Sequence, residues 1–318
     1  RVVQSAAFAA LLSMTAFAPA ATAQDREGIN PCGLGGFDAT CRVADGEYRA
    51  FKPKGEGPHP ALVYLYGSGG RADRQYQSDY FRDVVTSRGY VLIVPEALKV
   101  VDYVTGTDTG WSRAARRDEH PRDDIAFLRR VIEHARSRFQ IDRRRVLIVG
   151  QSDGGFLIWE IACHQPDVAA GYAVHAGAYG GPLPRSCRAP VRFHHTHGRA
   201  DPIVPFERDL YWRGWPEKVG ANPVEGLALL ARTNGCRPQG ERSRYRGFTR
   251  TQWQGCSSSG AVEYLIHNGG HGYPGRWLPA VLDWFEGFEL APPAPGQRNI
   301  RRVGQDSRFK AVPGAAAE

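Results

Sequence analysis

Three short apolar runs stand out along the chain: Ala61-Leu62-Val63-Tyr64-Leu65-Tyr66, Val91-Leu92-Ile93-Val94 and Val146-Leu147-Ile148-Val149. They are continuous rather than alternating, the pattern of strands buried on both faces of a parallel sheet. Two further strands are predicted around Val191 to Thr196 and Val262 to Ile266. Between the runs the period changes. After Pro121 and the acidic pair Asp123 and Asp124, which suit the positive end of a helix dipole, Ile125, Leu128, Ile132, Ala135 and Phe139 recur at three and four residues and form one buried stripe. Similar patterns predict helices near residues 75 to 87, 154 to 165, 224 to 233 and 277 to 288. Strand and helix alternate without an intervening linker, so the expected architecture is an α/β fold with a mainly parallel central sheet and helices on both faces.

The two ends read differently. Residues 6 to 18 are apolar and lead into Ala21-Thr22-Ala23 before Gln24, a small-x-small exit that predicts a cleaved secretory leader over residues 1 to 23. From Ala291 the chain turns to proline, glycine and charge, which predicts a mobile basic tail over 291 to 318 and leaves residues 24 to 290 as the catalytic domain. The chain has 318 residues, 42% apolar and 23% charged, with a formal charge of +8. The tail holds five basic and two acidic side chains, so about half the excess lies on the body, interspersed with acids. No basic stripe or zinc-finger spacing supports nucleic-acid binding. No run approaches the roughly 20 apolar residues of a membrane span.

An exported chain makes the cysteines legible. Cys32, Cys41, Cys163, Cys187, Cys236 and Cys256 form an even set. Six cysteines allow about 15 pairings. Local spacing favours Cys32 with Cys41 and Cys236 with Cys256, leaving Cys163 with Cys187; unpaired buried thiols are the alternative.

The sharpest chemical signal is the strand Val146 to Val149 running into Gly150-Gln151-Ser152-Asp153-Gly154-Gly155 and then an apolar helix. This is a nucleophile-elbow pattern: small residues two before and two after the serine let the turn close and lift its hydroxyl off the sheet edge. A serine needs a base oriented by an acid, in chain order Ser, Asp or Glu, His for this fold. Asp201, just past the strand ending near Thr196, is the expected acid, with Glu207 and Asp209 as competitors beyond Pro205. His271, in the loop Gly269-Gly270-His271-Gly272, is the expected base, with His267 as runner-up. Oxyanion donors are expected from the backbone N–H groups of Asp153 and of Ser68 in the loop Gly67-Ser68-Gly69-Gly70. His194, His195 and His197 invite a metal reading, but no nearby acid or cysteine completes a ligand set, so no metal and no organic cofactor is expected.

These pieces, with Asp123-Asp124-Ile125-Ala126-Phe127, His197-Gly198 through Asp201 and Val204-Pro205, Asn234-Gly235-Cys236 and Gly269-Gly270-His271 before Pro274-Gly275, resemble the secreted α/β-hydrolase esterases that group polyhydroxybutyrate depolymerases with feruloyl and acetylxylan esterases. The resemblance covers residues 45 to 288. It implies Ser152, Asp201 and His271 as a triad, a small-molecule or polymeric ester as substrate, and the Cys236 to Cys256 pair near the histidine loop. Two positions depart from the pattern: Tyr66 stands where histidine is usual, and Tyr273 where tryptophan is usual. Tyr273 and Trp111 are candidate substrate-pocket residues, with Trp212 and Trp215 as further aromatic candidates. The last two also motivate a second hypothesis, a non-catalytic carbohydrate-binding or cell-surface protein on a hydrolase scaffold. A serine peptidase on the same fold is a third.

Overall fold

A computed structural model describes residue 32 and residues 40–76, 78–99, 109–112, 120–211 and 219–289. The expected leader and tail, Trp212 and Trp215 lie outside the described residues. Ten strands form one sheet: β1 (Thr40–Val43), β2 (Gly46–Phe51), β3 (His59–Leu65), β4 (Val91–Pro95), β5 (Ile141–Gln151), β6 (Gly171–His175), β7 (Arg192–Gly198), β8 (Gly240–Tyr245), β9 (Phe248–Trp253) and β10 (Ala261–His267). Their spatial order is β1-β2-β4-β3-β5-β6-β7-β10-β9-β8. The six strands from β4 to β10 in that order run parallel, and an antiparallel hairpin closes each end.

The helices are α1 (Ala72–Tyr76), α2 (Asp79–Thr86), α3 (Asp124–Phe139), α4 (Asp153–His164), α5 (Pro223–Thr233) and α6 (Trp277–Glu289). The register puts Tyr64, Val149, Ala173 and His194 on one face, where Phe81 of α2 and Trp284 of α6 cover them. Leu65, Gly150, Val174 and His195 lie on the other, under α4. Such double coverage is why β3, β4 and β6 are buried at every position and why their sequences do not alternate.

Several expectations are corrected in detail. The predicted helix at 75 to 87 is two helices, α1 and α2. At the start of α3 Asp123 is the capping residue, accepting from Ile125 N and Ala126 N at 3.0 Å. Asp124, in the first turn as expected, is fully buried and bonded by Arg122 Nε at 2.6 Å and Ser112 N at 2.7 Å, so it is an interior anchor as well as a dipole partner. Strand β6 was not visible as apolar periodicity, because Gly171-Tyr172-Ala173-Val174-His175 is short and flanked by small residues. The β8–β9 hairpin turns at Arg246 and Gly247, both at positive φ (48° and 79°), as a two-residue primed turn requires. Its polar strand Gly-Glu-Arg-Ser-Arg-Tyr carries no burial pattern.

Disulfides join Cys32 to Cys41, Cys163 to Cys187 and Cys236 to Cys256. The third is not near the histidine loop, contrary to what the resemblance implies: Cys256 follows β9 and precedes the start of β10, and His271 follows its other end. Closing that 20-residue separation is worth about 3 kcal/mol in the chain-entropy picture.

Candidate active site

Because β3, β5, β7 and β10 are parallel, the loops that follow them emerge on one edge of the sheet. That edge gathers the Gly67–Gly70 loop, Ser152, Asp201 and His271 from residues up to 204 positions apart.

Ser152 links β5 to α4 at φ 51° and ψ −117°, a backbone conformation that costs a non-glycine residue about 1–3 kcal/mol. The surroundings hold it there. Ser152 N donates to His175 O and Phe156 N to Ser152 O, both at 2.9 Å, and α4 is buried from Asp153 through Cys163. The flanking glycines are required sterically: a Cβ on Gly154 would lie 2.3 Å from Leu65 O, and one on Gly150 would lie 2.8 Å from Ile158 Cδ1.

The glycine loop lies against this turn. A Cβ on Gly67 would stand 3.1 Å from Ser152 Cβ and 3.7 Å from its Oγ. Within the loop, Gly69 N donates to Thr109 O and Gly70 N to Gly67 O, each at 3.0 Å. The Ser68 N–H has no partner among the described residues, which fits an oxyanion donor held in reserve. Tyr66, in place of the usual histidine, anchors the loop through its phenol: it donates to Glu96 Oε1 at 2.6 Å and accepts from Ala97 N at 2.8 Å. Burial, reinforced by Glu96, drives its pKa well above the ordinary tyrosine value.

Trp111 does not line a substrate pocket. It is 3% exposed, and its indole N–H donates to Tyr66 O at 2.8 Å while its backbone N–H donates to Asp153 Oδ2 at 2.8 Å. It props the glycine loop against the first turn of α4. Tyr273 is half-buried, packed among Tyr80, Phe81, His175 and Trp277 at centroid distances of 4.9–6.2 Å. Tyr80 donates to Gly275 O at 3.0 Å and so pins the far side of the histidine loop.

The candidate acid and base meet because their loops are stitched together. Arg199 N donates to His267 O at 2.8 Å and Ala200 N to Gly269 O at 3.1 Å. Gly198 permits the crossing: a Cβ there would sit 2.0 Å from Gly270 O. Asp201 Oδ2 then accepts from His271 Nδ1 at 2.8 Å, and its Oδ1 from Ile203 N and Val204 N at 2.9 and 3.0 Å. Burial pushes the Asp201 carboxyl up, but the hydrogen bonds from His197, His271 and Val204 N–H outweigh it and hold it well below the ordinary carboxylate range. Gln151, beside the serine, donates through Nε2 to His271 O at 3.3 Å.

The competitors are accounted for. Asp209 Oδ1 accepts from Asn222 N at 2.8 Å, and Glu207 is exposed. His267 is a loop support: its Nδ1 accepts from Gly269 N at 3.1 Å, so the proton sits on Nε2, 3.2 Å from His175 Nε2. His195 and His197 stack at 5.1 Å and bond each other, Nε2 to Nδ1 at 2.9 Å. His197 Nε2 lies 2.7 Å from Val204 O, which can only accept, and 3.3 Å from Asp201 Oδ2. The tautomers follow: His195 donates to His197, and His197 donates to the Asp201 loop. His194 points to the opposite face, 3.6 Å from Glu263 and against Trp284, and burial pushes its pKa down to about 3. Sequence reasoning missed Gln151 and the support given by His197. The only signal for the latter was a histidine four residues before Asp201.

No family model matches the chain. It is similar to NocK of Nocardia uniformis subsp. tsuyamanensis, which is named as an esterase, with 26% identity over 264 residues covering 74% of each chain. It is also similar to an Aspergillus niger protein named as feruloyl esterase C, with 23% identity over 249 residues, 75% of this chain and 77% of that one. The fold matches an acetyl xylan esterase from Aspergillus awamori with a TM-score of 0.56 and 15% identity, over 77% of this chain and 94% of that one. The fold is therefore that of the α/β-hydrolases. Both sequence relatives carry esterase names, and the comparisons support an ester hydrolase.

Proposed function

We propose that the protein is an exported serine esterase acting on acyl esters of plant cell-wall polymers, feruloyl or acetyl, with polyhydroxyalkanoate esters as the competing substrate class. Ser152 Oγ attacks the ester carbonyl and gives its proton to His271 Nε2, which passes it to the leaving alcohol oxygen. Water, deprotonated by the same imidazole, then releases the acid and frees the serine. Asp201 stays ionised and holds the His271 proton on Nδ1, so that Nε2 is free to accept. The N–H groups of Ser68 and Asp153 take the developing oxyanion.

The observation that carries this reading is the 2.8 Å contact from His271 Nδ1 to an Asp201 carboxylate held by further donors, on the edge where Ser152 sits at positive φ. The three disulfides fit an oxidising compartment and support export. Among the described residues no helix is long and apolar enough to cross a membrane. Ser152→Ala is expected to abolish hydrolysis of a short-chain nitrophenyl ester, and full activity in that variant would overturn the assignment. Substrate class is read by comparing kcat/KM on methyl ferulate, acetylated xylan and a hydroxybutyrate oligomer with one preparation; a clear preference for the oligomer would overturn the cell-wall reading.

A further inference from the structure

Behind the loop that carries Asp201, toward the β8–β9 end of the sheet, lies a pocket of about 390 Å³. That volume is within the usual range for small-molecule sites. Its lining includes the half-buried rings of Phe206 and Tyr264, whose centroids are 5.4 Å apart. Around them stand three exposed arginines, Arg199 and Arg208 from the acid loop and Arg242 from β8, with Glu207 as the single exposed carboxylate. Among the described residues none of these guanidiniums makes an ion pair or a side-chain hydrogen bond. Several other arginines are paired, Arg88 with Asp283 and Glu286, Arg122 with Asp124, Arg129 with Asp167 and Arg250 with Glu263, so these three are distinguished by standing together around one hollow. Asp201, which also touches the pocket, is already committed to His271, His197 and two backbone N–H groups.

We propose that this pocket is a binding subsite for a sugar carboxylate, the hexuronate unit of an acidic polysaccharide. Guanidinium forks match a carboxylate, and aromatic faces match the C–H face of a sugar ring; the pocket offers both together. A bare phosphate or sulfate would use the arginines and leave Phe206 and Tyr264 idle. A neutral sugar would use the rings and leave three like charges crowded around a partly apolar hollow. The proposal rests on the cell-wall esterase reading and deepens it: Asp201 belongs both to the pocket wall and to the acid–base pair, so a polymer held here runs beside the reacting edge.

The test uses the full chain carrying Ser152→Ala, so that binding is read without turnover, in affinity electrophoresis through polygalacturonate, neutral arabinoxylan or dextran sulfate. Polygalacturonate is expected to retard the protein and arabinoxylan is not. Adding Arg208→Gln with Arg242→Gln should weaken that retardation at least about tenfold. Removing the same charge at the other edge of the sheet, with Arg143→Gln and Arg144→Gln at the start of β5, should weaken it far less. Arg208→Lys with Arg242→Lys keeps the charge without the fork and should fall between, which separates recognition from misfolding together with unchanged melting curves. The proposal is overturned if polygalacturonate gives no retardation, if both charge-removing pairs weaken it equally, or if dextran sulfate binds as tightly and loses as much. Failure here leaves the esterase reading standing, because that reading is judged separately by hydrolysis with the wild-type chain.

Discussion

The nucleophile side and the acid–base side of the candidate site are built on different principles. Around Ser152 the geometry is enforced by close packing: Gly154 lies against Leu65 O, Gly150 against α4 and Gly67 against the serine itself. Around Asp201 and His271 it is enforced by directional bonds between loops that are 70 residues apart in the chain. There the carboxylate is fixed by four donors, and the histidine loop by His267, Gln151 and Tyr80. A steric frame tolerates no added atom, whereas a hydrogen-bonded frame tolerates shape change and fails when a donor is lost.

Substitutions on the two sides should therefore fail in different ways. The largest effect is expected on the acid–base side: Asp201→Asn should lower kcat by about 10⁴-fold, the scale seen when a triad acid loses its charge, with a thermal melt close to wild type. A melt that collapses with activity would place Asp201 among structural rather than catalytic groups. On the nucleophile side Gly154→Ala should cost about 3 kcal/mol or more in urea-unfolding free energy, since the added methyl meets backbone that cannot move. Wild-type stability in that variant would show that the packing is looser than the 2.3 Å approach demands.

A smaller effect separates the second layer from the first. His197→Leu removes one donor to Asp201, so the carboxylate is held less firmly against His271 and kcat/KM should fall about tenfold. His197→Gln, which retains a donor, should restore most of that activity; equal losses in both variants would reduce His197 to a packing residue.

The smallest expected effect is on the pH dependence of stability. Burial, then neighbouring histidines, holds His175 and His195 well below the usual imidazole range, and burial with Arg250 holds His194 at about 3. For such groups the unfolded chain binds protons that the folded chain refuses. Their contribution is fully present above pH 6.5 or so and is lost as pH falls below it. Asp201, held below its ordinary range as well, contributes above about pH 4 and loses its share only as pH falls further. Urea midpoints measured from pH 8 to pH 4 should decline with a first slope near 6.5, flattened in His194→Phe; an unchanged slope in that variant would remove His194 from the account.

The contrast between the two sides also explains what was legible beforehand. The elbow was readable because its constraint is local: a buried strand, two glycines at fixed spacing and an apolar helix are contiguous in the chain. Strands β3 and β4 and the second half of β5 were readable for the same reason, since burial on both faces leaves continuous apolar runs. The position of Asp201 and His271 could be anticipated from chain order. Their supports could not, because the His197 tautomer, the Gly198 crossing and the Gln151 contact each depend on a partner distant in sequence. The place of Trp111, a candidate pocket residue in the sequence, is set in the same way, by Asp153 and Tyr66, which lie 42 and 45 residues away in the chain.

By itself the amino-acid order determined the α/β architecture, the serine turn and the order of the candidate acid and base, because periodicity and close glycine spacing act over a few residues. Tertiary structure alone decided which histidines support and which one faces Asp201, where the third disulfide sits and that three arginines surround an aromatic hollow. Those outcomes follow from hydrogen bonds and burial between segments that meet only after the parallel strands bring their ends to one edge.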